Sequence, residues 1–203
     1  MKKRFMIFLL AAFSLNASAQ DEAMVNCFIN AYKSEKSGDH DEAIKFISGV
    51  KTDNYEKNLK LGELYYKKEN YQESINYYKI AIVKKSHSVE AHHKLVNSAA
   101  KLKDWKLVST TYNNLLAIDP DNKDALYNLS TMMYNTKQYA IAKHHLEHLI
   151  ELYPMDYDAL LLAGWNYFRM GLNDRAKKCF HKALCVRADS KSAREGLKAV
   201  DGK

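Results

Sequence analysis

The sequence predicts an all-α protein built from repeated pairs of helices. Three observations indicate this fold class: helix-capping side chains recur at a fixed interval, apolar residues between them follow helical spacing, and turn-forming residues are scarce. The 203 residues include only seven Gly and two Pro. This composition disfavours turn-rich β architecture and favours long helices.

The helix starts give the clearest repeat. Side chains that can accept a hydrogen bond from the first turn of a helix occur every 34 residues, at Asn54, Ser88, Asn122, Asp156 and Ser190. Two residues later, four of these five starts carry an acid, which the positive end of the helix dipole favours: Glu56, Glu90, Asp124 and Asp158. We therefore predict five helices that start in register.

A second helix in each repeat follows from apolar residues three and four positions apart, the spacing of one helical face. In one repeat these positions hold Tyr71, Ser74, Tyr78 and Ala81, and the same columns continue through the later repeats. Pro120 and Pro154 close two of these second helices, because proline cannot continue a helix.

These columns resemble the tetratricopeptide repeat, a 34-residue pair of antiparallel helices. The family pattern is matched in one repeat by Leu61, Gly62, Tyr65, Tyr78 and Ala81, and in another by Gly164, Tyr167, Ala176, Phe180 and Ala183. Val96 and Ser130 replace the small residue, which indicates local repacking. The resemblance implies a right-handed superhelical solenoid with a concave binding surface.

The resemblance covers nearly all of the chain after its N-terminal segment. We expect a signal peptide at residues 1–19 and a solenoid at 20–203. Within the solenoid we expect a short helix pair, four full repeats and a half-polar capping helix, at about 24–54, at 55–88, 89–122, 123–156 and 157–190, and at 191–200.

The N-terminus is typical of a secretory signal peptide. Three cations at positions 2–4 precede an apolar run at 5–15, which is shorter than the roughly 20 residues of a membrane span. Ala17 and Ala19 give the small-x-small cleavage pattern, so we expect cleavage before Gln20. We expect an exported protein located in the periplasm, with secretion as the alternative.

Charge and motifs argue against other functions. The net charge of +7 falls to +4 without the three N-terminal cations, since 28 Lys and Arg then face 24 Asp and Glu. This excess is scattered and does not indicate nucleic-acid binding. The sequence holds no G-x-S-x-G, H-E-x-x-H, C-x-x-C or glycine-rich phosphate motif, so we expect neither enzymatic activity nor a cofactor.

The histidine and cysteine residues receive structural interpretations. His144 and His148 have the spacing of a metal-binding pair, but no acid or Cys completes a buried set, so we expect a polar helix surface and no metal site. Cys179 and Cys185 would lie roughly 9 Å apart along one helix, beyond disulfide reach. We interpret both, and Cys27, as small apolar packing residues.

The resemblance places the binding groove on the first helix of each repeat. Carried over position by position, the partner-binding residues are Tyr66, His93, Asn97, Tyr127, Asn128, Tyr134, Leu161, Trp165 and Phe168, with Phe28 and Tyr32 extending the groove at the front. A variant of this groove clamps a terminal carboxylate, but Asp158 and Leu162 stand where two of its cations belong. We therefore do not expect a carboxylate ligand.

The segment 159–168 supports the groove independently, because it is apolar on nearly every side. Leu161, Trp165 and Phe168 form a second stripe beside the core stripe, which indicates a binding patch. The alternative is that Trp165 packs against the end cap.

The function is thus predicted to be that of a protein- or peptide-binding scaffold or adaptor of the cell envelope. The alternative is a structural subunit, assembly factor or homo-oligomer held through end or convex surfaces that include Tyr77, Tyr78 and Ile80.

Overall fold

The computed structural model describes residues 21–202, and the expected signal peptide at 1–19 lies outside this range. The described residues form helices and turns with no strand, which confirms the all-α prediction. The described part of α1 covers residues 21–36. The later helices are α2 His40–Ser48, α3 Tyr55–Lys67, α4 Tyr71–Lys84, α5 Val89–Lys101, α6 Trp105–Ile118, α7 Lys123–Asn135, α8 Tyr139–Leu152, α9 Tyr157–Arg169, α10 Asn173–Val186 and α11 Lys191–Asp201.

All five predicted capping residues are N-caps in the structure. Their side chains each accept a hydrogen bond from the backbone N–H three residues later, at 2.8–3.1 Å. These bonds satisfy one of the free donors of each first turn. They start α3, α5, α7, α9 and α11 at Tyr55, Val89, Lys123, Tyr157 and Lys191.

The turn inside each helix pair reverses the chain through one residue with positive φ. The four full pairs use Glu69, Lys103, Lys137 and Gly171, with φ of 60°, 57°, 61° and 75°. The short first pair uses Gly38, with φ of 85°. Only glycine adopts this left-handed region without a steric penalty, so three of these five turns carry a strained residue.

The described chain divides into two compact units, which meet in sequence at Trp105 and Lys106. In unit 1, α3 packs against α2, α4 and α5. Its core includes Ala31, Ala43, Ile47, Leu61 and Leu64, all at most 2% exposed. In unit 2, α7, α9 and α11 form a row, and α8 and α10 pack against its members.

Ser74 is a polar residue on the buried face of α4. Its buried hydroxyl lies 2.8 Å from the carbonyl oxygen of Gly62, to which it donates, and 2.8 Å from the Oγ of Ser98. The hydroxyl therefore joins α3, α4 and α5 through hydrogen bonds that an alanine could not make.

The core of unit 2 is built around the ring of Phe180, which is fully buried. The ring lies between Gly164 on α9 and Gly196 on α11, where an added Cβ would come within 2.6 and 2.4 Å of it. At the equivalent small position on α7, Ser130 is buried, and the ring column holds Leu146. Where Ser130 replaces the smaller glycine, Leu146 replaces the larger phenylalanine ring. This exchange is the local repacking expected from the sequence.

Helix α11 is apolar on one side and polar on the other. Its buried residues are Ala193, Gly196 and Val200, while Arg194, Glu195 and Lys198 are exposed. Within residues 21–202, no helix combines the length and apolar composition that a membrane span requires.

Candidate functional site

The predicted groove residues of unit 2 lie on the neighbouring first helices α7 and α9. All six are half-buried: Tyr127, Asn128, Tyr134, Leu161, Trp165 and Phe168. The five apolar or aromatic members pack their inner edges against the core of unit 2 and leave the remainder of each side chain in solvent. We call these five, Tyr127, Tyr134, Leu161, Trp165 and Phe168, the α7–α9 face.

Trp165 is held in place by contacts to three helices. Its ring centroid lies 5.2 Å from that of Phe180 and 5.8 Å from that of Phe168, both in edge-to-face geometry. Its Nε1–H donates to the Oγ of Ser192 on α11, at 3.1 Å. The sequence alternative in which Trp165 packs against the end cap is therefore realised. The side chain nevertheless remains partly exposed, so the cap orients an indole that still has solvent-facing surface.

Tyr134 is oriented by the second helix of its own repeat. Its ring packs edge-to-face on Tyr139, with centroids 5.6 Å apart. The same arrangement occurs in unit 1, where Tyr66 packs on Tyr71 at 5.3 Å. The neighbouring Tyr134 side chain also raises the pKa of Arg169. Aromatic pairs of this geometry favour defined ring positions, which makes the face preorganised.

The polar members of this region have specific roles. The Nδ2 of Asn128 donates to the carbonyl oxygen of Asp124 at 2.7 Å, so part of its amide is engaged within its own helix. Burial and the carboxylate of Asp158 raise the pKa of Tyr127, whose hydroxyl stays protonated. The acid beside Tyr127 agrees with the expectation that this region disfavours a ligand carboxylate.

Unit 1 offers a chemically different first-helix surface. A cavity of about 250 Å³ is lined there by Glu63, Tyr66, Lys67, Tyr78, Lys94 and Asn97. Tyr66 and Asn97 were predicted as site residues and meet at this cavity. The third predicted residue, His93, is half-buried but is not among the lining residues.

The unit 1 surface is crossed by ion pairs that the sequence analysis missed. Glu35 contacts Lys60 at 2.7 Å and also pairs with Lys67, while Glu63 contacts Lys60 at 3.5 Å and pairs with Lys94. Although burial acts in the opposite direction, Lys60 and Lys67 lower the pKa of Glu35. Lys60 and Lys94 are 34 residues apart, a signal that could have revealed this series. The surface therefore suits a partner with polar or charged groups.

The histidines of α8 have different neighbours. The Nε2 of His148 lies 2.8 Å from the Oδ1 of Asp121, whereas the ring of His144 lies 5.7 Å from that of His145. Burial, together with His144 and His148, lowers the pKa of His145. Among residues 21–202, no group of three or more His, Cys, Asp or Glu side chains is placed to hold a metal ion.

The structure corrects the interpretation of Cys185 and describes the convex residues. Cys179 is buried as expected and Cys27 is half-buried, but Cys185 is exposed. The buried positions of α10 end at Ala183, and a residue two positions further points to the opposite side of a helix. Of the three convex residues, Tyr78 is buried, as its place in the core column indicates. Tyr77 is half-buried and stacks on Tyr65 at 5.3 Å, whereas Ile80 is 38% exposed.

Comparisons with known proteins agree with this architecture. The family model for the tetratricopeptide repeat matches residues 124–154 and 158–184. No curated protein matches the sequence. Among solved structures, MamA protein is 25% identical, with a TM-score of 0.68 over 83% of this chain and 93% of that chain.

Two further solved structures share the fold at lower identity. YrrB, described as a TPR protein with an unusual peptide-binding site, is 18% identical, with a TM-score of 0.68 over 92% of this chain and 98% of that chain. A tetratricopeptide repeat protein from Parabacteroides merdae ATCC 43184 is 17% identical, with a TM-score of 0.69 over 88% of this chain and 72% of that chain.

The class of fold follows from the helix pairs, their 34-residue period and these matches: the chain has the fold of a tetratricopeptide-repeat solenoid, and residues 124–154 and 158–184 match the repeat itself.

Proposed function

We propose that this protein is an exported scaffold that binds an extended segment of a partner protein through the α7–α9 face. The observation that carries the proposal is the state of Trp165, which is fixed by Phe180 and Ser192 yet still partly exposed. An indole with both properties can bind a partner side chain without first being ordered, which lowers the entropic cost of association.

The chemistry of the α7–α9 face specifies the kind of partner. Leu161, Phe168 and Tyr134 add apolar and aromatic surface to that of Trp165 on the α7–α9 face, and aromatic residues are the usual anchors of protein interfaces. Each apolar side chain that a partner buried here would contribute on the order of 1.5–3 kcal/mol. We therefore propose a partner segment with apolar or aromatic side chains.

Polar groups beside the face suit the backbone of such a segment. The carbonyl oxygen of the Asn128 amide can accept a hydrogen bond, and the protonated hydroxyl of Tyr127 can donate one. Asp158 disfavours a terminal carboxylate, so we propose an internal segment of the partner. The peptide-binding site named for YrrB supports this class of ligand, although that protein shares only 18% identity.

Export is the second part of the proposal. It rests on the cations at 2–4, the apolar run at 5–15 and the small residues Ala17 and Ala19. The full gene would be expressed in a Gram-negative host, and the N-terminus of the periplasmic protein would be determined by mass spectrometry. A product that begins at Gln20 is expected. Recovery of the protein only from the cytoplasm with residues 1–19 intact would refute export.

We propose a purely non-catalytic role with no cofactor, since binding alone accounts for the surfaces described above. The alternative role, a structural subunit or assembly factor, requires attachment through another surface. The binding experiment separates these two roles, because only the scaffold depends on the α7–α9 face.

The experiment uses a fluorescein-labelled peptide, selected from a displayed library against the purified protein, and measures its affinity by anisotropy. We expect Phe168→Ala combined with Tyr134→Ala to weaken binding roughly tenfold or more, the equivalent of about 1.4 kcal/mol. Trp105→Ala is the matched control, because this other tryptophan is 56% exposed and belongs to unit 1.

A third variant separates the indole surface from its support. Ser192→Ala removes the hydrogen bond to Trp165 Nε1 but keeps every aromatic ring, so we expect a smaller loss of affinity than Trp165→Ala causes. Circular dichroism of each variant checks that helicity is retained. Full affinity in the Phe168→Ala, Tyr134→Ala double variant would eliminate the α7–α9 face as the binding site and favour the structural role.

A further inference from the structure

Helix α1 carries an apolar stripe on its exposed side. Val25, Ile29 and Tyr32 follow a spacing of four and then three residues, which places them on one face of the helix. They are 50%, 45% and 62% exposed. With Met24, Phe28 and Lys33 they line an open, largely apolar cavity of about 500 Å³, which Glu56 of α3 borders on one side. Contiguous apolar surface of this kind marks an interaction site.

Ile29, at the centre of the stripe, corresponds to a residue that contacts the preceding repeat. When the left-handed turn residues Gly38 and Glu69 are aligned, Ile29 takes the position that Lys60 has on α3. Lys60 reaches back to Glu35 on α1, at 2.7 Å. In the described chain no helix precedes α1, so the equivalent face of α1 has no such neighbour there.

The two ends of the stripe carry opposite charges at equal distances from its centre. Glu22 lies seven residues before Ile29 and Lys36 lies seven residues after it, and both are exposed. Asp21 and Lys33, also exposed, add to the same polarity. Two such helices in antiparallel contact place each acidic end beside a basic end, whereas parallel contact places like charges together, which is unfavourable.

We propose that the α1 outer face, formed by Glu22, Val25, Ile29, Tyr32 and Lys36, binds the same face of a second copy of this chain. The two α1 helices cross antiparallel on a two-fold axis near Ile29. A self-complementary patch of this kind is what a two-fold dimer requires. The apolar stripe then loses its contact with water, and each Glu22 meets a Lys36 of the partner.

The expected affinity follows from the size of the contact. Residues 21–36 form a helix about 24 Å long, so a single helix pair falls at the small end of specific interfaces, near or below about 1,200 Å². We therefore expect a reversible dimer that dissociates on dilution through the micromolar range. The inference rests on the export proposal in one respect, that α1 begins the mature chain; it is independent of peptide binding at the α7–α9 face.

The test measures the mass of the protein by sedimentation equilibrium over a range of micromolar concentrations. The protein is produced from the full gene, and its N-terminus is determined on the same sample. We expect twice the chain mass at the highest concentrations and a monomer for Ile29→Lys. Val83→Lys is the matched control, because Val83 on α4 is 81% exposed and belongs to the same unit; it should dimerise as the unaltered protein does.

Charge reversal tests the antiparallel arrangement. Glu22→Lys and Lys36→Glu should each weaken the dimer roughly tenfold, since every dimer then contains two like-charged contacts. The double variant Glu22→Lys, Lys36→Glu should regain affinity close to that of the unaltered protein. This rescue remains decisive even if Ile29→Lys reduces helicity.

Three outcomes overturn the inference. The first is a monomer at all concentrations, including a monomer whose residues 1–19 are retained. The second is a dimer that survives Ile29→Lys. The third is a double variant whose dimer affinity is no higher than that of the single variants. None of these outcomes bears on peptide binding at the α7–α9 face, which is tested separately by peptide titration.

Discussion

The hydroxyl of Tyr157 lies 2.7 Å from the Oγ of Ser190, one repeat further along the chain. Tyr157 is the first residue of α9, and Ser190 is the N-cap of α11. The same relationship joins Tyr55 and Ser88 in unit 1, also at 2.7 Å. Each tyrosine thus connects the start of one first helix to the cap of the next, so at these two steps a hydrogen bond helps to fix the register of neighbouring repeats.

Removal of the Tyr157 hydroxyl should measure the value of this connection. We expect Tyr157→Phe to lower the free energy of unfolding by about 1 kcal/mol, because the ring and its contact with Arg187 remain while a partly buried hydrogen bond is lost. Urea denaturation checks this. Tyr153→Phe is the control, since the more exposed Tyr153 also lies beside a cation, Lys123. Equal effects at both positions would mean that the bond to Ser190 contributes nothing.

The positive φ of Lys137 should be relieved by glycine. A non-glycine residue in the left-handed region costs roughly 1–2 kcal/mol of backbone strain. Glycine removes this strain, but it also gives the unfolded chain more conformational freedom, which offsets part of the gain in stability. We expect Lys137→Gly to stabilise the protein by about 0.5–1 kcal/mol in urea denaturation. Lys137→Ala, which loses the same charge but keeps a Cβ, should give no such gain.

The equivalent turn in the next repeat provides the reciprocal test. Gly171 has φ of 75°, and nothing lies within 4 Å of an added Cβ. Gly171→Ala should therefore destabilise by about 1 kcal/mol through backbone strain alone. A stabilised Gly171→Ala variant would show that the left-handed turns are not under strain.

Local chemistry decided what could be predicted from the sequence. The caps were predictable because Ser190 and its counterparts act on a backbone N–H three residues away. The left-handed turn at Lys137 was not, since the reversal between two packed helices imposes it and lysine gives no sign of it. Likewise, the spacing of Leu161, Trp165 and Phe168 predicted an apolar stripe, but only the position of α11 determines that Trp165 meets Ser192.

The missed ion pairs have a similar cause. Glu35 belongs to the short first pair, in which the turn residue Gly38 precedes its counterpart Glu69 by 31 residues instead of 34. A search at a constant period therefore does not align Glu35 with the later repeats, and its contact with Lys60 depends on how α1 and α3 pack.

The close approach of Phe180 to Gly196 should make that glycine hard to replace. A Cβ at position 196 would come within 2.4 Å of the ring, and overpacking of this kind typically costs about 1–3 kcal/mol. We expect Gly196→Ala to destabilise the protein by that amount in urea denaturation.

A double variant tests the cause. Phe180→Leu replaces the ring with leucine, the residue found at the equivalent position 146 of the preceding repeat. The smaller side chain leaves more room for a Cβ, so Gly196→Ala should be better tolerated in the Phe180→Leu background. The cost of Gly196→Ala should then shrink by at least about 0.5 kcal/mol, the scale of coupling between residues in contact. If the destabilisation caused by Gly196→Ala were unchanged in this background, its cause would lie in the helix backbone and not in a clash with the ring of Phe180.

The N-cap Asp156 should give the stability a defined pH dependence. Burial works against its ionisation, but Lys123, at 2.6 Å, and the backbone N–H of Ala159 outweigh burial and lower the pKa of Asp156 below 3.8. Because the folded pKa is the lower one, the charge stabilises the fold fully above the pKa of the unfolded chain, and this contribution is lost as the pH falls through the folded pKa.

Asp156→Asn retains a capping oxygen and removes only the charge. Urea denaturation should therefore find the unaltered protein more stable than Asp156→Asn at neutral pH, with a difference that is constant down to about pH 5 and decreases below about pH 4. A difference that persisted undiminished well below that range would show that the asparagine disturbs the cap itself and that Lys123 does not stabilise the carboxylate.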